Sequence, residues 1–193
     1  MTRIVAGSLG GRRIDTPPGD STRPTSDRVR EGLFSRVESL LGGLSDAGVL
    51  DLYAGSGAVG LEALSRGAAR AVLVEADRRA ATVIRRNAEA LGVAGNVEVL
   101  SRRAERVCAE SPRVLADLLF ADPPYAADAT GVRTTLAAAL AGGWCAPRAL
   151  LVVERPTRAE PWSFPDDVDD VGARRYGETT LWYGQRALTA RGT

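Results

Sequence analysis

Asp122-Pro123-Pro124-Tyr125 is a short motif whose groups could bind and orient an aromatic amine. The exocyclic amine of a nucleobase is a poor nucleophile because its lone pair is delocalised into the ring. The Asp122 carboxylate and the Pro123 carbonyl can accept hydrogen bonds from its two N–H groups. The lone pair is then aimed at a methyl group. Tyr125 offers a face for base stacking, and proline fixes the backbone acceptors in place. We therefore predict that Asp122, Pro123, Pro124 and Tyr125 are catalytic residues.

Gly55, Gly57 and Gly60 match the GxGxxG pattern of a cofactor-binding loop, and Glu75 lies twenty residues beyond Gly55. Such glycines let the backbone approach a ligand, while the acid accepts hydrogen bonds from ribose hydroxyls. Dinucleotide-binding folds and methyltransferases share this pattern. Asp51, four residues before the first glycine, would repel a pyrophosphate but attract a ligand with an amino group and a sulfonium. S-adenosylmethionine carries both charges, so we expect it to be the cofactor.

The composition excludes several kinds of catalysis. The chain has 193 residues, no histidine, and 25 basic residues that are all arginine. Ser–His–Asp and Cys–His catalysis, Schiff-base chemistry and a P-loop lysine are therefore ruled out. Methyl transfer to an oriented amine needs none of these groups, and we predict no metal site. Cys108 and Cys145 are expected to be small buried hydrophobic residues.

Charge is unevenly distributed along the chain. Residues 1–36 carry seven arginines against four acids, whereas residues 159–172 carry five acids and no arginine. A phosphate-rich partner would approach the first segment and avoid the second, although a purely structural role for the N-terminal arginines fits equally well. Because the net charge is only +1, any affinity for nucleic acid must come from such a local patch.

The elements that must position these residues alternate regularly. Apolar strands are predicted at 49–52, 71–74, 97–100, 114–121 and 150–154, and helices at 59–66, 78–91, 103–110 and 130–141. This order implies βαβ units and a parallel sheet covered on both faces. Since open α/β sheets bind ligands at the carboxyl ends of strands, Asp122 should lie beside the glycine loop. Two further strands are predicted at 168–175 and 179–183. The connection between them is too short for a helical crossover, so they should pair antiparallel at one edge of the sheet.

The first fifty residues precede this alternation. Stretches 3–6 and 12–15 flank a glycine-rich turn and predict a hairpin. A helix capped by Thr25 or Ser26 should follow, with its apolar residues on one face and Gly42-Gly43 at its end. The three tryptophans, Trp144, Trp162 and Trp182, are expected to pack in the core or on the sheet.

The length points to one domain that folds without a disulfide or metal. No apolar run is long enough to span a membrane. The first residues lack the apolar core of a signal peptide, so we expect a cytoplasmic protein.

The sequence resembles the methyltransferases that modify N2 of a guanine in 16S ribosomal RNA, the RsmD-type family. The resemblance rests on residues 3–7, 23–34, 51–62, 122–125 and 176–179. Segment 23–34 is the specific part, because many amine methyltransferases share the glycine and Asp-Pro-Pro-Tyr motifs. The resemblance implies an α/β, Rossmann-like class I methyltransferase fold with a mostly parallel seven-stranded sheet, helices on both faces, and an N-terminal hairpin and helix. It divides the chain into an extension (1–24), the methyltransferase domain (25–186) and a tail (187–193).

The resemblance also implies roles for particular residues. The S-adenosylmethionine site would comprise Asp51, Tyr53, Ala54, Gly55, Ser56, Gly57, Glu75, Ala76, Arg103 and Ala104. RNA would be contacted by Arg3, Arg12, Arg13, Arg23, Thr25, Arg28 and Arg30. The likeness departs at residues 101–104, where such proteins often carry an acid for the adenine amine, so backbone groups at Arg103 and Ala104 are expected to read adenine instead. The implied partner is 16S rRNA within an assembled or assembling 30S subunit, bound by a monomer, with specificity from a presented loop or the particle.

Four other functions compete with this interpretation. An amine methyltransferase for DNA adenine would need a target-recognition domain that is not evident, and one for protein glutamine usually has asparagine where Asp122 stands. A nicotinamide-dependent oxidoreductase would share the glycines but would leave the 122–125 motif unexplained and lack a histidine or lysine proton donor. A non-catalytic RNA-binding relative would show no methyl transfer.

Overall fold

The computed structural model describes residues 2–17, 26–124 and 126–188. Three residues predicted to act at the site, Arg23, Thr25 and Tyr125, lie outside these ranges. The predicted domain boundaries after residues 24 and 186 stay predictions.

The chain begins with the predicted hairpin, in a shorter form. Strand β1 (Thr2–Arg3) pairs antiparallel with β2 (Arg13–Ile14). Ile4 and Ile14 are buried against helix residues such as Leu61 and Leu91. The hairpin therefore docks on the domain through two apolar side chains and leaves its arginines outside.

A seven-stranded sheet forms the centre of the molecule. Its strands in chain order are β3 (Gly48–Asp51), β4 (Arg70–Val74), β5 (Val97–Leu100), β6 (Ala116–Ala121), β7 (Cys145–Pro156), β8 (Val168–Tyr176) and β9 (Thr179–Arg186). Their order in the sheet is β5-β4-β3-β6-β7-β9-β8. The first five are parallel, while β9 runs antiparallel to both β7 and β8. The mostly parallel sheet and its antiparallel edge are thus confirmed.

In the part of the chain that the structure describes, five helices cover the sheet: α1 (Asp27–Leu41), α2 (Ala58–Ser65), α3 (Arg78–Leu91), α4 (Ala104–Cys108) and α5 (Ala129–Ala141). A 3₁₀ turn spans Ala94–Asn96. The Ser26 hydroxyl accepts a hydrogen bond from the Val29 N–H and so begins α1, and Gly42 ends it with a φ of 79°. Of the two predicted caps, Ser26 is confirmed. None of the helices in the described ranges is long and apolar enough to cross a membrane.

The two faces of the sheet bury alternate residues of each strand. Val49 and Leu118 lie on the face that α1 and α2 cover. Their chain neighbours Leu50 and Leu119 lie on the opposite face, which packs against α4 and α5. Both faces are apolar, as a parallel sheet between helix layers requires. This alternation also decides on which face each side chain at the strand ends lies.

The expected core residues lie where the sequence predicted. Trp144 and Trp162 are buried in the cluster beneath α5, and Trp182 packs against the same cluster. Cys108 and Cys145 are buried in it and form no disulfide. Burial raises the pKa of the Cys108 thiol to about 12, so it stays a neutral hydrophobic group.

Buried charges join α1 to α2. Arg30 is fully buried, and its Nε donates to Glu62 Oε2 at 3.3 Å. Its Nη2 donates to Asp27 at 2.8 Å and to the carbonyl of Arg3 at 2.6 Å. Arg66 binds the other Glu62 oxygen at 2.9 Å. Arg30 therefore connects the hairpin, α1 and α2.

Candidate active site

The two predicted motifs meet at the carboxyl edge of the sheet. Strands β3 and β6 are neighbours, with Asp51 directly opposite Phe120. The Leu52 N–H donates to the Phe120 carbonyl at 3.0 Å, just past the end of β3. Asp122 follows Phe120 by two residues, so it lies on the same face of the sheet as Asp51. The glycine loop and the Asp-Pro-Pro corner are therefore side by side.

The glycine loop turns tightly between β3 and α2. Gly55 and Gly57 have φ values of 56° and 81°, which residues other than glycine rarely adopt. The Gly57 N–H closes the turn on the Ala54 carbonyl at 2.7 Å, and Gly57 is the N-cap of α2. Gly60 serves packing instead, because a Cβ there would lie 2.2 Å from Leu73 Cδ2. The N–H groups of Ala54, Gly55 and Gly57 donate within the protein, so these bonds hold the loop in a fixed shape at the N-terminus of α2.

Glu75 holds this loop in shape from the end of the neighbouring strand. Its Oε2 accepts the Gly55 N–H at 2.8 Å, and its Oε1 accepts the Asp77 N–H at 2.8 Å. Each carboxylate oxygen has a second lone pair, so both can still accept a hydroxyl. The sequence suggested only ribose binding, and the contact with Gly55 adds a structural role for the same side chain.

Asp51 is an acid in an apolar setting. The residue is 1% exposed. Burial, with a smaller contribution from the Glu75 charge, raises its pKa from an ordinary value of 3.8 to about 7, although hydrogen bonds from the Tyr53 and Gly60 backbone oppose the shift. No cation among the described residues contributes to this pKa, so a positively charged ligand would stabilise the ionised carboxylate. Its surroundings fit the amino group and sulfonium expected of the cofactor.

Asp122 has a similar environment. Burial raises its pKa well above the ordinary range, and the charges of Glu154 and Asp51 raise it further. Glu154 follows Val153, which is paired with Ala121 across β6 and β7. The carboxyl ends of β3, β6 and β7 therefore bring three acids, Asp51, Asp122 and Glu154, to one face. In the described ranges no group of histidine, cysteine, aspartate or glutamate is arranged to hold a metal ion.

The remaining predicted cofactor residues lie on the same side of the sheet edge. The Glu75 N–H donates to the Leu100 carbonyl at 3.0 Å, which brings the end of β5 beside β4. Arg103 is the extended N-cap of α4, and Ala104 is buried behind it. Ala76 is exposed next to Glu75. The segment expected to read adenine is thus adjacent to the acid expected to bind ribose.

The family model described as Conserved hypothetical protein 95 matches residues 2–185. The chain belongs to this family.

Curated and solved relatives agree with that assignment. A relative from Escherichia coli (strain K12), named ribosomal RNA small subunit methyltransferase D, is 38% identical over 169 residues, which are 83% of this chain and 81% of the relative. A solved Escherichia coli structure named as a methyltransferase is 34% identical, with a TM-score of 0.82 over 97% of this chain and 98% of the other. A solved methylase from Haemophilus influenzae is 25% identical, with a TM-score of 0.78 over 96% and 98%. The predicted RsmD-type resemblance is confirmed, and the chain is a methyltransferase.

For this member of the Conserved hypothetical protein 95 family, one predicted RNA contact is wrong. The Arg30 side chain has no solvent-exposed area and is surrounded by Glu62, Asp27 and the hairpin backbone. A guanidinium in that position cannot reach a phosphate without losing these partners. These ion pairs and hydrogen bonds on several sides are what a buried charge requires.

The other predicted RNA-contacting arginines in the described ranges are exposed. Arg3, Arg13 and Arg28 are accessible at the surface, and Arg3 forms an ion pair with Asp27 at 2.7 Å. Arg12 donates to the Leu91 carbonyl at 3.0 Å and to that of Ala90, so it caps the end of α3. That helix end points away from the carboxyl edge, because α3 runs back from the end of β4. Arg12 therefore has a structural function that its charge did not indicate.

Glu154 is the site residue that sequence reasoning missed. It stands at the end of the fifth predicted strand, 150–154, and matches neither of the two motifs. The signal was its position, because strand-end acids of adjacent parallel strands converge at one edge.

Proposed function

We propose that this protein transfers a methyl group from S-adenosylmethionine to N2 of a guanine in 16S ribosomal RNA. The observation that carries the proposal is the adjacency of Asp51 and Asp122 at the ends of neighbouring strands β3 and β6. One acid belongs to the cofactor loop and the other to the amine-binding corner. One edge can therefore hold a methyl donor and an acceptor amine together.

The cofactor would be held by groups from three strand ends. Asp51 would face the amino and sulfonium charges, the backbone of the 54–57 loop would pass close to the methionine part, and Glu75 would accept the ribose hydroxyls. Backbone groups at Arg103 and Ala104 would bind adenine. When bound, S-adenosylmethionine supplies the electrophilic methyl carbon.

The chain's own residues would prepare the amine. The Asp122 carboxylate and the Pro123 carbonyl would each accept a hydrogen bond from one N–H of N2. The nitrogen lone pair would then project toward the methyl donor. As the new N–C bond forms, the amine becomes positively charged and one proton must leave. Asp122 suits that step, because its raised pKa makes the carboxylate a better proton acceptor than an exposed aspartate. Tyr125 would stack on the base.

The substrate assignment is supported by the names of the relatives, which include ribosomal RNA small subunit methyltransferase D from several bacteria. The guanine N2 target comes from the RsmD-type resemblance. We propose the 30S particle in the cytoplasm as the substrate and a monomer as the acting form. The exposed Arg3, Arg13 and Arg28 would support RNA binding from the side of α1.

The test is methyl transfer to 30S subunits purified from cells that lack this protein. Incubation with isotope-labelled S-adenosylmethionine should place label in N2-methylguanosine of 16S rRNA, identified by nucleoside mass spectrometry. Asp122→Ala should lower kcat by about 10²- to 10³-fold while binding S-adenosylhomocysteine normally. Label in another nucleoside, in protein or nowhere would refute the substrate assignment. A wild-type rate for Asp122→Ala with normal cofactor affinity would refute the mechanism.

A further inference from the structure

A second cleft opens directly beside the Asp-Pro-Pro corner. It has a volume of about 340 Å³ and is lined by Pro123, Pro124, Arg155, Pro156, Arg158 and Ala159. Two cations and no acid are among these residues. Pro123 and Pro124 belong to both the cleft and the amine-binding corner, so a molecule in one is next to a molecule in the other.

Arg155 carries an unusual unsatisfied donor. Its Nε is buried and has no hydrogen-bond partner among the described residues. Its guanidinium carbon lies 5.9 Å from the centre of the Trp162 ring, and the Trp162 Nε1 likewise lacks a described partner. Buried donors without acceptors are costly. Arg155 therefore retains unused hydrogen-bonding capacity in the wall of this cleft.

The loop that carries Arg158 is fixed by the β8–β9 turn. The Thr157 N–H donates to the Glu178 carbonyl at 2.7 Å, and its hydroxyl donates to the Gly177 carbonyl at 3.2 Å. The Ala159 N–H closes a turn on the Pro156 carbonyl at 2.9 Å. Arg158 therefore projects from an ordered turn, which lowers the entropy lost when it binds a ligand. These hydrogen bonds give the 176–179 motif a structural role outside the active site, namely fixing the loop that carries Arg158.

We propose that this cleft binds a backbone phosphate of the RNA next to the target guanosine. The inference rests on the proposed function, because it assumes an RNA substrate at the Asp-Pro-Pro corner. Arginine forks match the geometry of phosphate oxygens and bind them with charge-assisted hydrogen bonds. The proline and alanine walls suit the apolar faces of a ribose. A nucleotide whose base enters the corner has its own phosphates close by, and Arg155 and Arg158 flank that exit.

The experiment compares Arg158→Gln and Arg155→Gln with wild type on the same 30S substrate. Arg86→Gln is the matched control. Arg86 is exposed on α3, so this substitution removes the same charge far from the carboxyl edge. Each cleft variant should raise KM for 30S subunits about tenfold, with a smaller change in kcat and an unchanged Kd for S-adenosylhomocysteine. Arg158→Lys should recover part of the loss, since it keeps the charge but not the fork. Arg158 is exposed, so its variant remains informative even if Arg155→Gln fails to fold.

Salt dependence separates a phosphate contact from other contacts. The slope of log KM against log salt concentration should fall by about 0.7–0.9 for each phosphate contact that is lost. A raised KM with an unchanged slope would show that the cleft touches a ribosomal protein, which overturns the inference. Equal KM values for wild type and Arg158→Gln would also overturn it. If the wild-type enzyme methylates no rRNA, the proposed function fails instead, and the two failures are therefore distinct.

Discussion

The Arg30 guanidinium and the Glu62 carboxylate lie 3.3 Å apart, and neither side chain has any exposed area. They join α1 to α2 beneath the N-terminal hairpin. Removing one member of a fully buried ion pair typically costs about 3–5 kcal/mol, because the other charge and its neighbours lose their partner.

Arg30→Ala should therefore lower the melting temperature by on the order of 10 °C, as measured by calorimetry of the free protein. Arg28→Ala is the matched control, since Arg28 lies in the same helix turn with an exposed side chain. It should leave the melting temperature nearly unchanged. Equal melting temperatures for the two variants would show that the buried pair contributes little.

The same arginine shows what the sequence could and could not predict. The local signals were sufficient for α3, whose observed ends at Arg78 and Leu91 match the prediction, because an Asp cap and a following glycine mark them. They were insufficient for Arg30, because its partner Glu62 lies thirty-two residues away and burial depends on that contact. Charge type alone suggests RNA binding as readily as an internal ion pair.

Strand β7 illustrates a second limit. The sequence predicted 150–154, whereas the strand runs over Cys145–Pro156. Pro147 and Arg148, the latter with a φ of 64°, interrupt the apolar pattern. The strand nevertheless extends at both ends, because β6 pairs with it at Cys145, opposite Ala116, and β9 pairs with it as far as Pro156, opposite Thr179. Long-range pairing determined those ends, whereas the tight turn at Gly55 and Gly57 depends on local residues.

Glu154→Gln should shift the acidic limb of the kcat–pH profile to lower pH. The Asp122 pKa is raised by burial, and the Glu154 and Asp51 charges raise it further. Removing one neighbouring negative charge favours the ionised form of Asp122, so the carboxylate persists at lower pH. Activity that needs this carboxylate should then survive further into acid.

Rates measured across pH 5–8 at saturating cofactor provide the test. Glu160→Gln is the control, because Glu160 is an exposed acid outside the site. Its profile should overlie that of wild type. A Glu154→Gln profile that does not move, or that moves to higher pH, contradicts the assigned coupling.

Cofactor affinity should weaken as the pH falls below about 7. Asp51 has a pKa of about 7 in the free protein, and a cationic ligand binds better to its ionised form. Lowering the pH from 7 to 6 reduces the ionised fraction about fivefold, and the Kd for S-adenosylmethionine should rise by about that factor.

Calorimetric titrations at pH 6 and 7 measure this change. Asp51→Asn should bind weakly at both values and lose the pH dependence, whereas Asp169→Asn, on the exposed edge strand β8, should retain it. The same shift affects the free protein's stability. The pKa of Asp51 in the folded protein is raised above the unfolded value of 3.8. Its contribution to the free energy of unfolding is therefore fully present below pH 3.8 and is lost as the pH rises through about 7. An affinity independent of pH in the wild-type protein would contradict the proposed contact.

Gly60→Ala should destabilise the protein, although alanine favours helices. Its Cβ would lie 2.2 Å from Leu73 Cδ2, in a core that α2 and β4 fill. Overpacking of this kind typically costs about 1–3 kcal/mol. Gly131→Ala in α5 meets nothing within 4 Å, so it should stabilise by up to about 1 kcal/mol through helix propensity alone. Urea unfolding of both variants tests the pair, and a Gly60→Ala protein as stable as Gly131→Ala would mean that Leu73 repacks freely. Because Gly60 spaces α2 from the sheet behind the cofactor loop, Gly60→Ala should also weaken S-adenosylhomocysteine binding, whereas Gly131→Ala should not.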